Sequence, residues 1–170
     1  MNRVMIGLFA LTLAAAARAE TGVALVKGTT ETSKIAGSVT FEDTKDGLRV
    51  VAKLTGLPPG QHGFHIHEYG SCDEGGKAAG GHYNPLNVMH GYLPKDGMHK
   101  AHAGDFGNLT ADAQGNAVME IVLPKDTLAG GKYTVGGRAV IVHEKTDDFS
   151  QPAGNAGARI GCGLIAITGH

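Results

Sequence analysis

His65 and His67 stand two residues apart with Phe64 and Ile66 interleaved, and that alternation limits what the stretch can become. In an extended strand, residues i and i+2 leave the same face. As a strand, Gly60 to Glu68 sends both imidazoles to one side and Phe64 and Ile66 to the other, toward an apolar core. Two imidazoles on one strand face make a pincer for copper or zinc. Taken alone, the stretch reads equally as a plain strand with two outward polar residues.

The rest of the chain repeats the same kind of element. Thr21–Gly28, Lys34–Phe41, Leu48–Leu54, Phe106–Thr110, Ala117–Leu123, Tyr133–His143 and Arg159–Thr168 are short β-rich runs. Turn signals such as Asp46-Gly47, Pro58-Pro59-Gly60 and Gln114-Gly115-Asn116 separate them. Pro124–Gly131 reads as a turn or a short helix. With the histidine strand, this predicts an all-β, eight-stranded antiparallel barrel or sandwich. The 27 glycines suit many turns and few long helices. Two segments fall outside the pattern: Tyr69–Ala103, long and Gly-rich, and Asp147–Gly157. A loop as long as the first, inside a compact domain, is expected to be functional.

Residues 1–19 are a separate matter. A basic start at Arg3, an apolar run from Val4 to Ala17 and the small-x-small triplet Ala17-Arg18-Ala19 predict a signal peptide cut near Ala19. The mature domain is then residues 20–170, exported to the periplasm or otherwise secreted, with no membrane span. Cleavage removes two of the 15 basic residues and none of the 16 acidic ones, leaving 13 − 16 = −3. No basic stretch suggests nucleic acid, and an anionic ligand would have to be drawn by a local positive spot. Cys72 and Cys162 are an even pair in an exported chain, most simply a disulfide, with two buried thiols as the other reading.

Nine histidines are many for a chain with 18% charged residues. His65 and His67 share a strand, and His82 and His90 lie eight apart in the long loop. His102 precedes Asp105 by three, and His143 ends the apolar run Ala139-Val140-Ile141-Val142. Six imidazoles and one carboxylate exceed one four-coordinate site. Two metals need eight donor positions, and seven residues fill them if one imidazole bridges through both ring nitrogens.

The motifs Gly63-Phe64-His65-Ile66-His67-Glu68, Gly81-His82-Tyr83-Asn84-Pro85, His102-Ala103-Gly104-Asp105-Phe106-Gly107-Asn108, Val142-His143-Glu144-Lys145 and Gly154-Asn155-Ala156-Gly157-Ala158-Arg159 resemble, in order, those of copper/zinc superoxide dismutases, exported bacterial forms included. The resemblance runs over about residues 21–168. It implies a Greek-key barrel with two long functional loops that disproportionates superoxide to O2 and H2O2. It implies one copper and one zinc ion per chain, copper on His65, His67, His82 and His143, and zinc on His82, His90, His102 and Asp105. His82 would be the bridging imidazolate and a proton carrier. Asp147 would accept hydrogen bonds from His65 and His90, the cysteine pair would tie the long loop to the last strand, and Arg159 would bind the anion beside copper. A homodimer is the association to test, on a surface that the sequence does not mark.

Three histidines stand outside these sets. His62 reads as structural, His99 as a rival to His102 for zinc, and His170 as solvated. The second loop departs from the familiar form, with only Phe149, Ser150, Gln151, Pro152 and Ala153 between Asp148 and Gly154 and no charged guiding residue. Guidance would then fall to Lys77, Lys95 or Lys100 on the long loop. Asn108-Leu109-Thr110 matches a glycosylation sequon, a weak signal alone. The competing functions are a non-catalytic copper/zinc buffer or chaperone on the same fold, and an adhesion-type sandwich, which would leave seven donors unexplained.

Overall fold

The computed structural model describes residues 19–169. The leader expected over residues 1–19 lies outside it except for Ala19, and so does His170. Eight strands form: β1 (Thr21–Gly28), β2 (Ala36–Thr44), β3 (Gly47–Thr55), β4 (Gly60–His67), β5 (Asp105–Ala111), β6 (Ala117–Leu123), β7 (Ala139–His143) and β8 (Arg159–Gly169). They close into one barrel in the order β1-β2-β3-β6-β5-β4-β7-β8, with β8 returning to β1. Every neighbouring pair is antiparallel. Consecutive β3 and β4 are not neighbours, and neither are β6 and β7, which gives the Greek-key connectivity. Closure removes the free sheet edges.

The alternation of each strand fills the barrel. Val39, Phe41, Leu48, Val50, Leu54, Phe64, Ile66, Phe106, Leu109, Val140, Val142 and Ile165 are among the buried core side chains. Phe64 and Phe106 meet edge to face at 5.3 Å. The inward face of β1 is Ala24 and Val26, while Leu25 is 65% exposed.

The largest boundary differences from the sequence reading are at β2 and ahead of β7. β2 runs over Ala36–Thr44, not Lys34–Phe41. The run expected as a strand over Tyr133–His143 is extended only from Ala139. Gly136-Gly137 breaks it: Gly137 has φ 78, and its N–H turns to the carbonyl of Ile165. Pro124–Gly131 is a turn without a helix.

The segment from Tyr69 to Ala103 carries two short helical turns, Glu74–Ala79 and Leu93–Asp96. It is held to the barrel at two points. Cys72 and Cys162 form a disulfide to β8, and His67 pairs with His82 in an isolated antiparallel bridge to the end of β4.

Candidate metal centre

β4 carries His65 and His67 on the face opposite Phe64 and Ile66. The registers fix their neighbours. His65 pairs with Asp105 at the start of β5 and with Ile141 on β7. β7 ends at His143, whose partner on β8 is Arg159. The long loop covers this face and adds His82, His90 and His102. Gly104 lets the loop approach, since a Cβ there would run into the carbonyl of Ile66.

The result is two sets of donors that share one ring. His65, His67, His82 and His143 each offer a ligand atom within 4.8 Å of the others, and so do His82, His90, His102 and Asp105. The His82 ring centre is 4.0 Å from that of His65 and 5.0 Å from that of His67. On its other side it is 5.2 Å from His90 and 5.5 Å from His102. His82 Nδ1 lies 2.9 Å and His102 Nδ1 3.2 Å from Asp105 Oδ1, while His90 Nδ1 lies 2.9 Å from Asp105 Oδ2. Backbone N–H groups of Gly91 and His102 donate to Asp105 Oδ2 at 2.9 Å, which fixes the carboxylate.

Which nitrogen each ring presents is set by what its other nitrogen does. His65 Nε2 donates to Asp147 Oδ2 at 2.8 Å, and His90 Nε2 donates to Asp147 Oδ1 at 2.9 Å. One carboxylate therefore aims a ring in each set and leaves both with Nδ1 inward. His67 Nδ1 donates to the Gly80 carbonyl at 2.9 Å and His143 Nδ1 to that of Gly157 at 3.3 Å. Their Nε2 atoms then face each other 3.3 Å apart. The grouping of His65, His90 and Asp147 is this supporting layer.

The donors fit metal ions chemically. His65 Nδ1 is buried and has no hydrogen-bond partner, while the buried His90 Nδ1 and His102 Nδ1 meet only the Asp105 carboxylate. An orphaned buried nitrogen costs roughly 1–3 kcal/mol, which a coordinate bond removes. Burial, reinforced by neighbouring imidazoles, lowers His67 to about 2 and His143 to about 3. Burial also takes His82 to about 4, against the pull of Asp105. These rings are neutral and present lone pairs, as metal binding requires. Burial opposes the charge on His90, but the Asp105 and Asp147 carboxylates outweigh it and raise it to about 9. Burial likewise raises Asp105 and Asp147, yet the imidazoles around them win and hold both below the usual carboxylate range.

The first set opens on a cavity of about 490 Å³ lined by His67, His82, His143, Asn155 and Arg159 among others. Arg159 is fixed there: Nη1 donates to the Gly76 carbonyl and Nη2 to the Gly80 carbonyl, each at 2.6 Å. Burial lowers its pKa from 12.5.

The family model for copper/zinc superoxide dismutase (SODC) matches residues 35–165. The chain belongs to the copper/zinc superoxide dismutase family. It is 39% identical over 142 residues to the extracellular superoxide dismutase [Cu-Zn] of Caenorhabditis elegans, covering 78% of this chain and 62% of that one. It is 40% identical over 154 residues to superoxide dismutase [Cu-Zn] 3 of Arabidopsis thaliana, covering 85% of this chain and 89% of the relative. The crystal structure of the clock protein EA4 superposes with a TM-score of 0.78 at 36% identity, covering 92% of this chain and all of that one. As a member of the copper/zinc superoxide dismutase family, the chain takes one copper and one zinc ion, for which it has two donor sets.

The six histidines and Asp105 assigned from the sequence as metal donors meet in these two sets, with Asp147 against both and Arg159 on the open side. His62 is buried away from them, its ring nitrogens on the carbonyls of His143 and Pro58. His99 is exposed and lines a different cavity with Leu93 and Lys100. Lys77 shares a cavity of about 380 Å³ with Arg159, whereas Lys100 lies at the distant one. Three contributors went unseen in the sequence. Asn108 and Gln151 hold metal-centre backbone through their amides. Gly154 has φ 72, and a Cβ there would collide with Asp147 Oδ1 and come within 2.8 Å of His90 Nε2. Amide clamps leave no periodic trace; Asn108 does lie inside one of the family-like motifs.

Proposed function

We propose that the chain disproportionates superoxide: one anion gives up its electron and leaves as O2, and a second takes up an electron and two protons to become H2O2. His65, His67, His82 and His143 hold copper; His82, His90, His102 and Asp105 hold zinc. Copper supplies the one-electron couple and zinc a fixed, redox-inert positive charge. The protein does the rest. Arg159 presents its guanidinium to the anion beside His67, His82 and His143, a local attraction in a chain of net negative charge. Asp147 keeps the His65 and His90 rings in their tautomers. His82 has a nitrogen in each set, so it can carry a proton on Nε2 while Nδ1 stays on the Asp105 side. That proton and one from water complete the peroxide.

One observation supports this reading above the others: a single buried ring, His82, belongs to both donor sets. A metal buffer needs neither that sharing nor Arg159 fixed in the same cavity. The test is metal content, copper spectrum and superoxide turnover of wild type and His82→Ala. Wild type is expected to bind one copper and one zinc and turn over superoxide, and the variant to lose turnover and the spectral coupling of the sites. Metallated wild type without turnover would overturn the reading in favour of a buffer.

The domain is residues 20–170, exported to a periplasm or secreted after cleavage near Ala19; a relative that is extracellular by name supports export. No helix among the described residues is long and apolar enough to cross a membrane. The chain forms a homodimer through the outer face of β1 and β8, where Leu25 and Leu164 are exposed side by side.

A further inference from the structure

The side-chain amide of Gln151 makes both its hydrogen bonds to one residue. Oε1 accepts from the backbone N–H of His90 at 2.9 Å, and Nε2 donates to the carbonyl of His90 at 2.9 Å. An amide that closes two bonds on one residue does what a neighbouring strand residue does: it fixes the peptide in both directions. His90 is the ring for which this matters most. Nε2 must stay on Asp147 while Nδ1 faces Asp105. The rest of the short second loop meets the same pair. Phe149, at φ 60, stacks on His90 at 6.2 Å and donates its N–H to Asp147 Oδ1 at 2.8 Å. A bulky residue in the left-handed region marks a locally constrained segment.

We infer that Gln151 is a positioning residue for zinc, and that the short second loop, which carries no guiding charges between Asp148 and Gly154, is a clasp on the zinc half of the centre. Gln151 acts through His90 and touches neither ion nor substrate. The inference rests on the zinc donors proposed above. It predicts slow zinc release as the property that the loop confers.

The experiment mixes metal-loaded protein with excess chelator and follows zinc release for wild type, Gln151→Ala, Gln151→Glu and Asp148→Ala. Cobalt(II) spectra at the zinc position and melting of the metal-free proteins are recorded alongside. Losing such a supporting partner typically weakens metal binding 10–100-fold, so Gln151→Ala is expected to release zinc roughly tenfold faster. Its cobalt bands shift while its metal-free melting temperature does not. Gln151→Glu keeps the acceptor for the His90 N–H and falls between. Asp148→Ala removes loop bonds to Ser150 and Asn155 without touching His90 and stays near wild type. Release from Gln151→Ala at the wild-type rate, or equal acceleration in Asp148→Ala, overturns the inference. Wild type that takes up no zinc overturns the donor assignment itself, and this inference with it.

Discussion

Asn108 closes both hydrogen bonds of its side-chain amide on the backbone of Asp147: Oδ1 accepts from the N–H at 2.7 Å and Nδ2 donates to the carbonyl at 3.0 Å. Asn108 sits on β5 opposite Gly63, so a barrel strand fixes the one loop carboxylate that serves both donor sets. Each bond contributes about 1 kcal/mol, and the larger effect is on aim. Asn108→Ala is expected to weaken zinc binding about tenfold in a competition titration. The same engagement predicts that the Asn108-Leu109-Thr110 sequon stays unmodified. Protein made in a glycosylating host should show no glycan mass at Asn108, and a glycan there would refute the clamp.

Arg159 is exposed to the cavity yet bound to two loop carbonyls. Arg159→Ala should lower kcat/KM for superoxide by tenfold or more, within the range that local charge focusing provides in clefts of this type. Arg159→Lys cannot satisfy Gly76 and Gly80 while also facing the anion, so it should recover only part of the loss. Lys77 is the long-loop lysine that shares a cavity with Arg159. Lys77→Gln should flatten the salt dependence of turnover, and Lys100→Gln should leave it unchanged. Stopped-flow turnover at several ionic strengths decides between them; an unchanged slope in Lys77→Gln would exclude it as a guide.

Much of this centre was legible in the sequence because its donors ride on period-two strands and motif turns. Alternation placed Phe64 and Ile66 in the core opposite His65 and His67, and Thr21–Gly28 and Ala117–Leu123 have the bounds that their patterns suggest. Alternation does not say which face is inside when both are apolar: Val23 and Leu25 look as fit for the core as Ala24 and Val26. Nor does β-propensity outweigh backbone geometry at Gly136-Gly137, where the expected strand before β7 is lost. The amide clamps of Asn108 and Gln151 were invisible because they join residues 39 and 61 positions apart through side chains with no pattern.

The β1/β8 outer face carries Leu25 at 65% and Leu164 at 47% exposure, adjacent in the register that pairs Ala24 with Ile165. The homodimer proposed above would be seated on this face. Sedimentation of the metallated protein should give a dimer, and Leu25→Lys a monomer that keeps its metals. A monomeric wild type would sink the assignment.

Asp126 is 1% exposed, and neither of its carboxylate oxygens has a partner. Burial alone pushes its pKa from 3.8 up to about 8. The folded state thus holds this proton through neutral pH while the unfolded chain releases it near 3.8. With the folded pKa above the unfolded one, the contribution is fully present below about pH 4 and is lost as pH rises through about 8. The span is about 6 kcal/mol at most, less if the turn relaxes or admits water. Other groups titrate in the same range, so the informative quantity is the difference between wild type and Asp126→Asn, both metal-free. Asp126→Asn cannot ionise and should gain stability relative to wild type steadily from pH 5 to pH 8 in urea unfolding. A difference that does not change with pH would show that the carboxyl is ionised, or solvated, in the folded protein.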